Sequence, residues 1–356
     1  MDRGISISGR VIDDESDCYV IAELGHNHQG DMQTALQLIR EAAQSGADAV
    51  KLQKRHNRKL FTKAMFDSPY ENRNSYGATY GEHREFLEFD AAQYRELMDC
   101  AASLGVALFA TAFDPWSADF LAELGMPAFK IASGDLTNLP LLRHVADLGK
   151  PLVISTGGAA MDDVRRAFAA VSALNGEICL LQCTSGYPSE FHELNLRVIE
   201  TFRREFPSAV VGLSAHDSGI AMPVVAYVLG ARVVEKHFTL NRAMRGTDHA
   251  FSLEPVGLRK MVRDLRRARV AMGDGVKAPF ESELKPLGKM SKKLVAARDL
   301  PAGQVLALAD VAVKSPGGGG LAPYELDSVL GRTLLRPLAE DEALDWADLT
   351  DLNGLA

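Results

Sequence analysis

The chain has 356 residues, enough for one large domain and a smaller one. Its net charge of −8 argues against a nucleic-acid partner but leaves room for a local basic pocket that binds an anion. The N-terminus lacks a secretion signal and the longest apolar run is too short to span a bilayer, so we expect a cytoplasmic protein without a membrane partner. The spacing of the four cysteines fits neither a zinc site nor a disulfide framework, which predicts reduced core thiols.

Short apolar segments rich in β-forming residues recur through the first two thirds of the chain, with amphipathic helical patterns between them. The eight segments are 18–25, 49–54, 107–113, 128–134, 151–158, 178–184, 210–216 and 232–238. Eight strand–helix units with strands covered on both faces predict a parallel (β/α)8 TIM barrel of the α/β class. A doubly wound open sheet is the alternative, and the absence of a GxGxxG turn after the first segment argues against it.

Each predicted strand becomes polar at its C-terminal end. These polar residues include Glu23, Lys51, Gln53, Thr111, Lys130, Ser133, Asp135, Ser155, Gln182, Ser185, Ser214, His216, Glu235 and His237. A single polar strand end is typical of a cap or turn, but eight coinciding ends indicate a common site. Active sites of such barrels lie on this face, so we predict one there.

The eighth segment, RVVEKHF, carries three consecutive polar residues inside an apolar run. Side chains alternate between the faces of a strand, so Glu235 and His237 point the same way and Lys236 points the other way. We therefore expect Glu235 and His237 in the barrel mouth. Lys236 is expected to point outward, toward the layer between barrel and helices or toward the rim.

Two histidines, His216 and His237, stand at the same depth on the seventh and eighth predicted strands. Adjacent strands lie about 4.8 Å apart, so both imidazoles can converge on one divalent cation. With Glu23 across the barrel closure, the set resembles a site of two histidines and one carboxylate. A hydrogen-bonded pair of barrel histidines is the alternative.

Two lysines, Lys51 and Lys130, project into the same mouth beside the hydroxyls of Thr111, Ser133 and Ser155. Two ammonium groups repel each other unless an anion lies between them, and a phosphate or carboxylate would satisfy both. The alternative is a Schiff-base lysine, because a desolvated lysine beside another cation has a lowered pKa. The two hypotheses correspond to a metal-assisted phosphate-ester enzyme and a metal-free aldolase.

The segment 55–90 shows no sustained periodicity, and loops of this length in compact domains are usually functional. We predict a lid or a partner contact there. After the last barrel helix, short strand-like runs and turns predict a small, mainly β module. The predicted boundaries are 1–275 for the barrel, 276–290 for a linker and 291–356 for the module.

A series of motifs resembles the sialic acid (N-acetylneuraminate) synthase family. In chain order these are IAELGHNHQGD, VKLQK, FKIASGDL, LVISTGG, LLQCTSGYP, GLSAH and EKHFTLNRAMRGTDHAFSLEP. The tail that begins KKLVAARDL resembles the antifreeze-like (SAF, β-clip) domain that follows the barrel in that family. The resemblance covers nearly the whole chain.

The resemblance implies a phosphoenolpyruvate-dependent transferase that forms a carbon–carbon bond. Such an enzyme joins phosphoenolpyruvate to an N-acetylhexosamine, N-acetylmannosamine or its 6-phosphate, giving a nine-carbon 2-keto-3-deoxy acid and phosphate. It implies Mn²⁺ or Mg²⁺ on His216 and His237, and a homodimer in which the small domain caps the partner's barrel. Matching positions assign Lys51, Thr111, Lys130, Ser133, Ser155 and Ser185 to phosphoenolpyruvate, and Glu23, Asp135, Tyr187 and Asp248 to the sugar. Gln53 shares the face of Lys51 and is predicted to bind substrate.

Some roles implied by the resemblance stay open. Glu23 and Glu235 are candidates for orienting or deprotonating the water that adds to the donor, and Glu235 is alternatively a partner that orients His237. Ala215 stands where many bacterial members have an Asp. The role of that Asp, orienting the neighbouring histidine, is here either absent or taken by Asp217. Many members also carry an Arg-Pro-Gly whose Arg reaches the sugar, where this chain has Lys314-Ser315-Pro316-Gly317, and whether Lys314 replaces that Arg stays open.

The acceptor also stays open. The stretches NSYGATYGEHREFLEF and SAHDSGI resemble the animal-type branch, which takes a 6-phosphorylated sugar, and the basic segment 55–63 or Arg84 would hold that phosphate. Acceptors of the pseudaminic and legionaminic type are alternatives within the family. Outside it, a Schiff-base pyruvate aldolase and a carbohydrate-binding or ice-binding protein are the competing hypotheses, and the ionisable barrel mouth argues against the last.

Overall fold

The computed structural model describes residues 3–351. An antiparallel hairpin of β1 (Gly4–Ile7) and β2 (Arg10–Asp13) precedes the barrel, and it is absent from the eight predicted strands. Its two strands have four residues each, too short for a clear alternation. The buried side chains of Ile5, Ile7 and Ile12 join the barrel core.

Eight parallel strands close into a barrel, with β10 paired to β3. They are β3 (Tyr19–Gly25), β4 (Ala49–Lys54), β5 (Ala107–Ala112), β6 (Phe129–Ile131), β7 (Leu152–Ser155), β8 (Ile178–Cys183), β9 (Val210–Ala215) and β10 (Val233–His237). Each falls within one of the eight predicted segments. The TIM-barrel prediction is therefore confirmed.

Helices return the chain between the strands. They are α1 (Met32–Gln44), α2 (Asn57–Leu60), α3 (Lys63–Phe66), α4 (Tyr80–Phe86), α5 (Ala91–Ser103), α6 (Pro115–Glu123), α7 (Leu139–Asp147), α8 (Met161–Ser172), α9 (Val198–Glu205), α10 (Ala221–Val228) and α11 (Pro255–Met272). Side-chain caps fix several starts, as where Asp31 accepts from the Thr34 amide and begins α1. No helix within residues 3–351 combines the length and hydropathy needed to cross a membrane.

The long segment after β4 is not an irregular loop, because it contains α2, α3 and α4. Helices of four to seven residues are too short to produce a periodic pattern in the sequence. A capping box between Thr79 and Glu82 fixes the start of α4. The Tyr76 hydroxyl donates to the carbonyl of Arg245 at 3.0 Å, which ties this segment to the loop after β10.

The chain divides into two compact units with the boundary after Gly273. In the second unit, α12 (Glu281–Met290) occupies most of the segment predicted as a linker, and β11 (Lys293–Ala296) pairs with β12 (Val311–Lys314) in antiparallel fashion. The unit also contains α13 (Leu326–Val329) and a leucine-rich core of its own. The predicted module was drawn to residue 356, and residues 352–356 lie outside the described part, as do residues 1 and 2 of the predicted barrel domain.

Candidate active site

A cavity of about 830 Å³ opens at the C-terminal end of the barrel strands. Its lining contains thirteen of the fourteen predicted site residues: Glu23, Lys51, Gln53, Thr111, Lys130, Ser133, Ser155, Ser185, Tyr187, His216, Glu235, His237 and Asp248. Asp135 is the exception. It lies in a 3-10 turn, Ser133–Asp135, where its carboxylate accepts from the Asn138 amide at 3.1 Å, so the cavity lining does not support its predicted sugar contact.

The strand register brings these residues to one level. His237 lies beside Glu23 across the barrel closure, and Glu23 lies beside Lys51. Gln53 pairs with Thr111, and Thr111 pairs with Lys130. Because parallel strands in a closed barrel end together, residues far apart in the chain meet at the mouth.

A buried ion cluster forms around Lys51. Its Nζ lies 2.6 Å from Glu23 Oε2 and 3.7 Å from Glu235 Oε1, and it donates to Thr111 Oγ1 at 2.8 Å. Burial raises the pKa of Glu23 despite the nearby Lys51. The expectation that the two lysines need an external anion between them is therefore wrong for Lys51, because carboxylates of the protein already balance its charge.

The second lysine, Lys130, has a different environment. Its Nζ donates to Ser155 Oγ at 2.6 Å and to the carbonyl of Ile131 at 2.9 Å, both neutral acceptors. Within residues 3–351 it forms no ion pair at 4 Å or less, and burial lowers its pKa. A buried ammonium without a direct counter-ion is a place for an anionic ligand.

Hydroxyl groups and the Gly157 amide line the same cavity as Lys130, and we name this set the cradle. The Gly157 amide donates to Ser133 Oγ at 2.9 Å, and Ser155 and Ser185 line the same cavity. A side chain at position 157 would overlap the Ser185 hydroxyl and sit 2.9 Å from Ser133 Oγ. Gly157 was missed as a site residue, although the two glycines after β7 in LVISTGG were a usable signal.

The two predicted metal ligands lie side by side, with the ring centroids of His216 and His237 5.3 Å apart and both residues buried. Nδ1 of His216 is 2.9 Å from the carbonyl of Thr184, which places the proton on Nδ1 and a lone pair on Nε2. Nδ1 of His237 has no hydrogen-bond partner among the described residues and lies 3.7 Å from Asp248 Oδ2.

The expected triad of two histidines and Glu23 is not assembled. Glu23 turns its oxygens to Lys51 and to Gln53, whose Nε2 donates to Oε1 at 2.7 Å. In the part of the chain that the structure describes, no group of three or more His, Cys, Asp or Glu side chains is arranged around a common metal position. Of the predicted triad only the two imidazoles lie together, and a divalent cation bound to them stays a prediction.

The three polar residues of RVVEKHF have separate partners. Lys236 is buried and points outward, where its Nζ pairs with Asp217 Oδ1 at 2.9 Å, as the alternation predicts. Asp217 therefore does not orient His216, a role that the Thr184 carbonyl fills. Glu235 accepts from Ser214 Oγ at 3.3 Å and not from His237, and its Oε2 has no hydrogen-bond partner in the described chain.

A closed (β/α)8 barrel whose mouth gathers two buried lysines, two buried glutamates and two histidines has the architecture of a TIM-barrel enzyme. The comparisons with known proteins specify the class. Residues 38–277 match the model of the NeuB family, and residues 293–350 match that of the SAF domain.

Relatives of this chain are similar over nearly their whole length. The N-acetylneuraminate-9-phosphate synthase of Homo sapiens is 38% identical over 346 residues, which are 97% of this chain and 96% of that protein. The N,N'-diacetyllegionaminic acid synthase of Legionella pneumophila is 36% identical over 92% of this chain and 94% of its own. A solved N-acetylneuraminic acid synthetase from Leptospira borgpetersenii superposes with a TM-score of 0.71 at 30% identity, covering 81% of this chain and 96% of that one.

The chain therefore belongs to the NeuB family, a family of sugar-acid synthases, and carries a C-terminal SAF domain. The resemblance inferred from the sequence motifs is confirmed. The relatives differ in the sugar acid in their names, so the acceptor of this chain does not follow from family membership.

Proposed function

We propose that this protein condenses phosphoenolpyruvate with N-acetylmannosamine or its 6-phosphate, giving a nine-carbon 2-keto-3-deoxy acid and inorganic phosphate. The observation that carries the proposal is the cradle around Lys130, where a buried ammonium without a direct counter-ion stands among hydroxyls and the Gly157 amide. It lies in one cavity with the histidine pair and Glu235. Similarity to sialic acid synthases supports the same reaction.

The donor would bind in this cradle. Lys130 and the hydroxyls of Ser133, Ser155 and Ser185 would hold the anionic groups of phosphoenolpyruvate, with Thr111 on the neighbouring strand β5 and Lys51 on β4 beyond it. Buried cationic groups stabilise anions more strongly than exposed ones do because the local dielectric is low. The sugar would occupy the wider part of the cavity, against Gln53, Tyr187 and Asp248.

A divalent cation, Mn²⁺ or Mg²⁺, fits the pair His216 and His237. The Nε2 lone pair of His216 and the unpartnered Nδ1 of His237 are suitable ligand atoms. When bound there, such an ion acts as a Lewis acid that polarises the aldehyde oxygen of the open-chain sugar.

The remaining groups would direct the bonds that form and break. The C2=C3 electron pair of phosphoenolpyruvate forms the bond from carbon 3 to the sugar aldehyde carbon, whose oxygen takes a proton and becomes a hydroxyl. Water adds to the cationic carbon 2, and the tetrahedral centre expels phosphate by breaking the bond from carbon 2 to the phosphate oxygen, which leaves the 2-keto group. Glu235 would take the proton from that water, a role supported by its buried Oε2, which has no hydrogen-bond partner among the described residues. Glu23 is the alternative base, but it is already engaged by Lys51 and Gln53.

A phosphate-release assay tests the proposal. The protein is incubated with phosphoenolpyruvate and each of several N-acetylhexosamines, with and without a 6-phosphate, in the presence of Mn²⁺ or EDTA. We expect phosphate release that EDTA abolishes and that His237→Ala lowers at least about 100-fold. An unchanged rate in both conditions would make the metal assignment wrong, and no release with any acceptor, the legionaminic and pseudaminic types included, would overturn the function.

A Schiff-base pyruvate aldolase is the second candidate, favoured by one observation. Lys130 is buried, lacks a direct counter-ion and has a lowered pKa, as a Schiff-base lysine requires. Borohydride reduction in the presence of pyruvate distinguishes the two. The synthase predicts no covalent adduct, whereas the aldolase predicts a mass increase that Lys130→Met removes.

A further inference from the structure

A second cationic cluster lies at the rim of the same cavity. It consists of His26, Arg55 and Arg84, which we name the rim cluster. His26 follows β3, Arg55 follows β4, and Arg84 lies in α4. Arg55 Nη2 donates to Gln53 Oε1 at 2.8 Å, and Gln53 in turn contacts Glu23, so the rim cluster lies one residue layer beyond the deep ion cluster.

The two guanidinium groups hold opposite nitrogens of one imidazole. Arg55 Nη1 is 3.2 Å from His26 Nε2, and Arg84 Nη1 is 3.1 Å from His26 Nδ1. A neutral imidazole accepts at only one nitrogen, so one of these contacts sets a donor against a donor. Protonation would worsen the conflict, and burial together with both guanidiniums lowers the pKa of His26 well below its ordinary value. The cluster therefore has donors in excess.

Aromatic rings rather than carboxylates support both arginines. The Arg55 guanidinium lies 3.6 Å from the ring centroid of Phe113, and Arg84 packs over Tyr80 while its Nε donates to the Tyr80 hydroxyl at 3.0 Å. Nearby carboxylates are taken by other cations, Glu88 by Lys54 and Glu85 by Arg58. Within residues 3–351, neither Arg55 nor Arg84 forms a side-chain ion pair.

We propose that the rim cluster binds the phosphate of a 6-phosphorylated acceptor sugar, an inference that rests on the proposed function. Two arginines with fixed planes and unused N–H groups match a phosphate dianion, and an anion bridging them removes the donor conflict at His26. The cavity then has one anion site in its depth for the donor and another at its rim for the acceptor.

The other cations of segment 55–63 do not face this cavity. Arg58 pairs with Glu85, Lys59 lies over the Trp116 ring, and Lys63 pairs with Asp67. Of the basic residues that the sequence nominated for a phosphate, the structure selects Arg55 and Arg84. Arg58 provides a matched control, because it is in the same segment and carries the same charge.

The test compares two acceptors, N-acetylmannosamine 6-phosphate and N-acetylmannosamine, by kcat/KM with saturating phosphoenolpyruvate. We expect the wild type to prefer the phosphorylated sugar. Arg84→Met is expected to lower kcat/KM for the phosphorylated sugar roughly 10–100-fold, the usual effect of losing a charge-assisted hydrogen bond to a buried anion. It should change kcat/KM for the unphosphorylated sugar less than about threefold. Arg55→Met should have the same effect as Arg84→Met, and Arg84→Lys should lower kcat/KM for the phosphorylated sugar less. Arg58→Met should change kcat/KM for neither acceptor.

The outcomes separate this inference from the proposed function. If Arg84→Met and Arg55→Met lower kcat/KM equally for both acceptors, or if the wild type prefers the unphosphorylated sugar, the rim site is wrong while the proposed synthase function stands. If no acceptor yields phosphate, the synthase is wrong, and calorimetry with N-acetylmannosamine 6-phosphate alone tests the rim. The site is supported if Arg84→Met weakens binding of this sugar phosphate and Arg58→Met preserves it. Equal binding by the wild type, Arg84→Met and Arg58→Met overturns the site.

Discussion

At the scale of single residues, the two lysines at the barrel mouth differ in how their charge is balanced. Lys51 contacts the carboxylate of Glu23, whereas Lys130 contacts only a serine hydroxyl and a backbone carbonyl. The same residue type on β4 and β6, two strands separated by β5, therefore has two different environments. Carboxylates of the protein balance the charge of Lys51, whereas Lys130 has no direct counter-ion among the described residues, and the proposed function assigns it to the anionic donor.

A substitution at Gly157 tests the cradle directly. Gly157→Ala puts a methyl group against the hydroxyls of Ser133 and Ser185, so we expect KM for phosphoenolpyruvate to rise at least about tenfold, as for loss of one to two hydrogen bonds to a charged group. Steady-state phosphate release measures this. Gly176→Ala is the control, because the added methyl group meets no atom within 4 Å. An unchanged KM in Gly157→Ala would show that the cradle is not the donor site.

A buried histidine makes stability depend on pH. Burial lowers the pKa of His28 from 6.5 to about 3, and its Nδ1 accepts from the Gly30 amide at 3.0 Å. Between those two pH values the unfolded chain binds a proton at His28 that the folded chain does not bind. The free energy of unfolding therefore decreases as the pH falls below 6.5.

Urea unfolding measures the effect. Between pH 7.5 and pH 5, we expect the wild type to lose about 2 kcal/mol more unfolding free energy than His28→Gln does. The exposed His192 supplies the control, and His192→Gln should keep the wild-type dependence. Equal pH dependence in the wild type and His28→Gln would contradict the assignment.

At the scale of elements, strand β10 connects the core to the site through alternate side chains. Its inward face carries Glu235 and His237 to the cavity, and its outward face carries Lys236 to Asp217 in the loop after β9. The ion pair is fully buried, so each partner depends on the other. This pair secures the two strand ends that carry the histidines.

Breaking that pair is expected to destabilise the barrel. Lys236→Met leaves the Asp217 carboxylate buried without its cation, which costs about 3–5 kcal/mol of unfolding free energy. The double variant Lys236→Met, Asp217→Leu should regain most of the loss, since it leaves no unpaired charge. Urea unfolding of the single and double variants checks both. A single variant as stable as the wild type would show that the pair contributes little.

At the scale of the whole molecule, the chain has two compact units, each with its own hydrophobic core. The family resemblance implies a homodimer in which the small domain caps the partner's barrel, and this stays a prediction. Light scattering on the eluted protein is expected to give twice the 38.6 kDa mass of one chain. A single-chain mass at micromolar concentration would contradict the dimer.

Much of the fold and part of the site could be predicted from the sequence. The eight strands were recognisable because a strand covered on both faces is a short, continuous apolar run with a polar end. Hairpin β1–β2 and helices α2 to α4 were not, because elements of four to seven residues leave no period to detect. Polar strand ends and family motifs together identified thirteen cavity-lining residues but also Asp135, whose carboxylate turns to Asn138.

By itself, the sequence determined the barrel, the face that carries the site, and the opposite directions of Lys236 and its two neighbours. These follow from local patterns: the series of strand–helix units, the polar strand ends and the alternation of side chains along a strand. Only the tertiary structure decided which charges meet: Glu23 with Lys51 instead of the histidines, and His26 between Arg55 and Arg84. Such contacts join residues from separate strands and loops. Their distances depend on barrel closure and register, which no local pattern encodes.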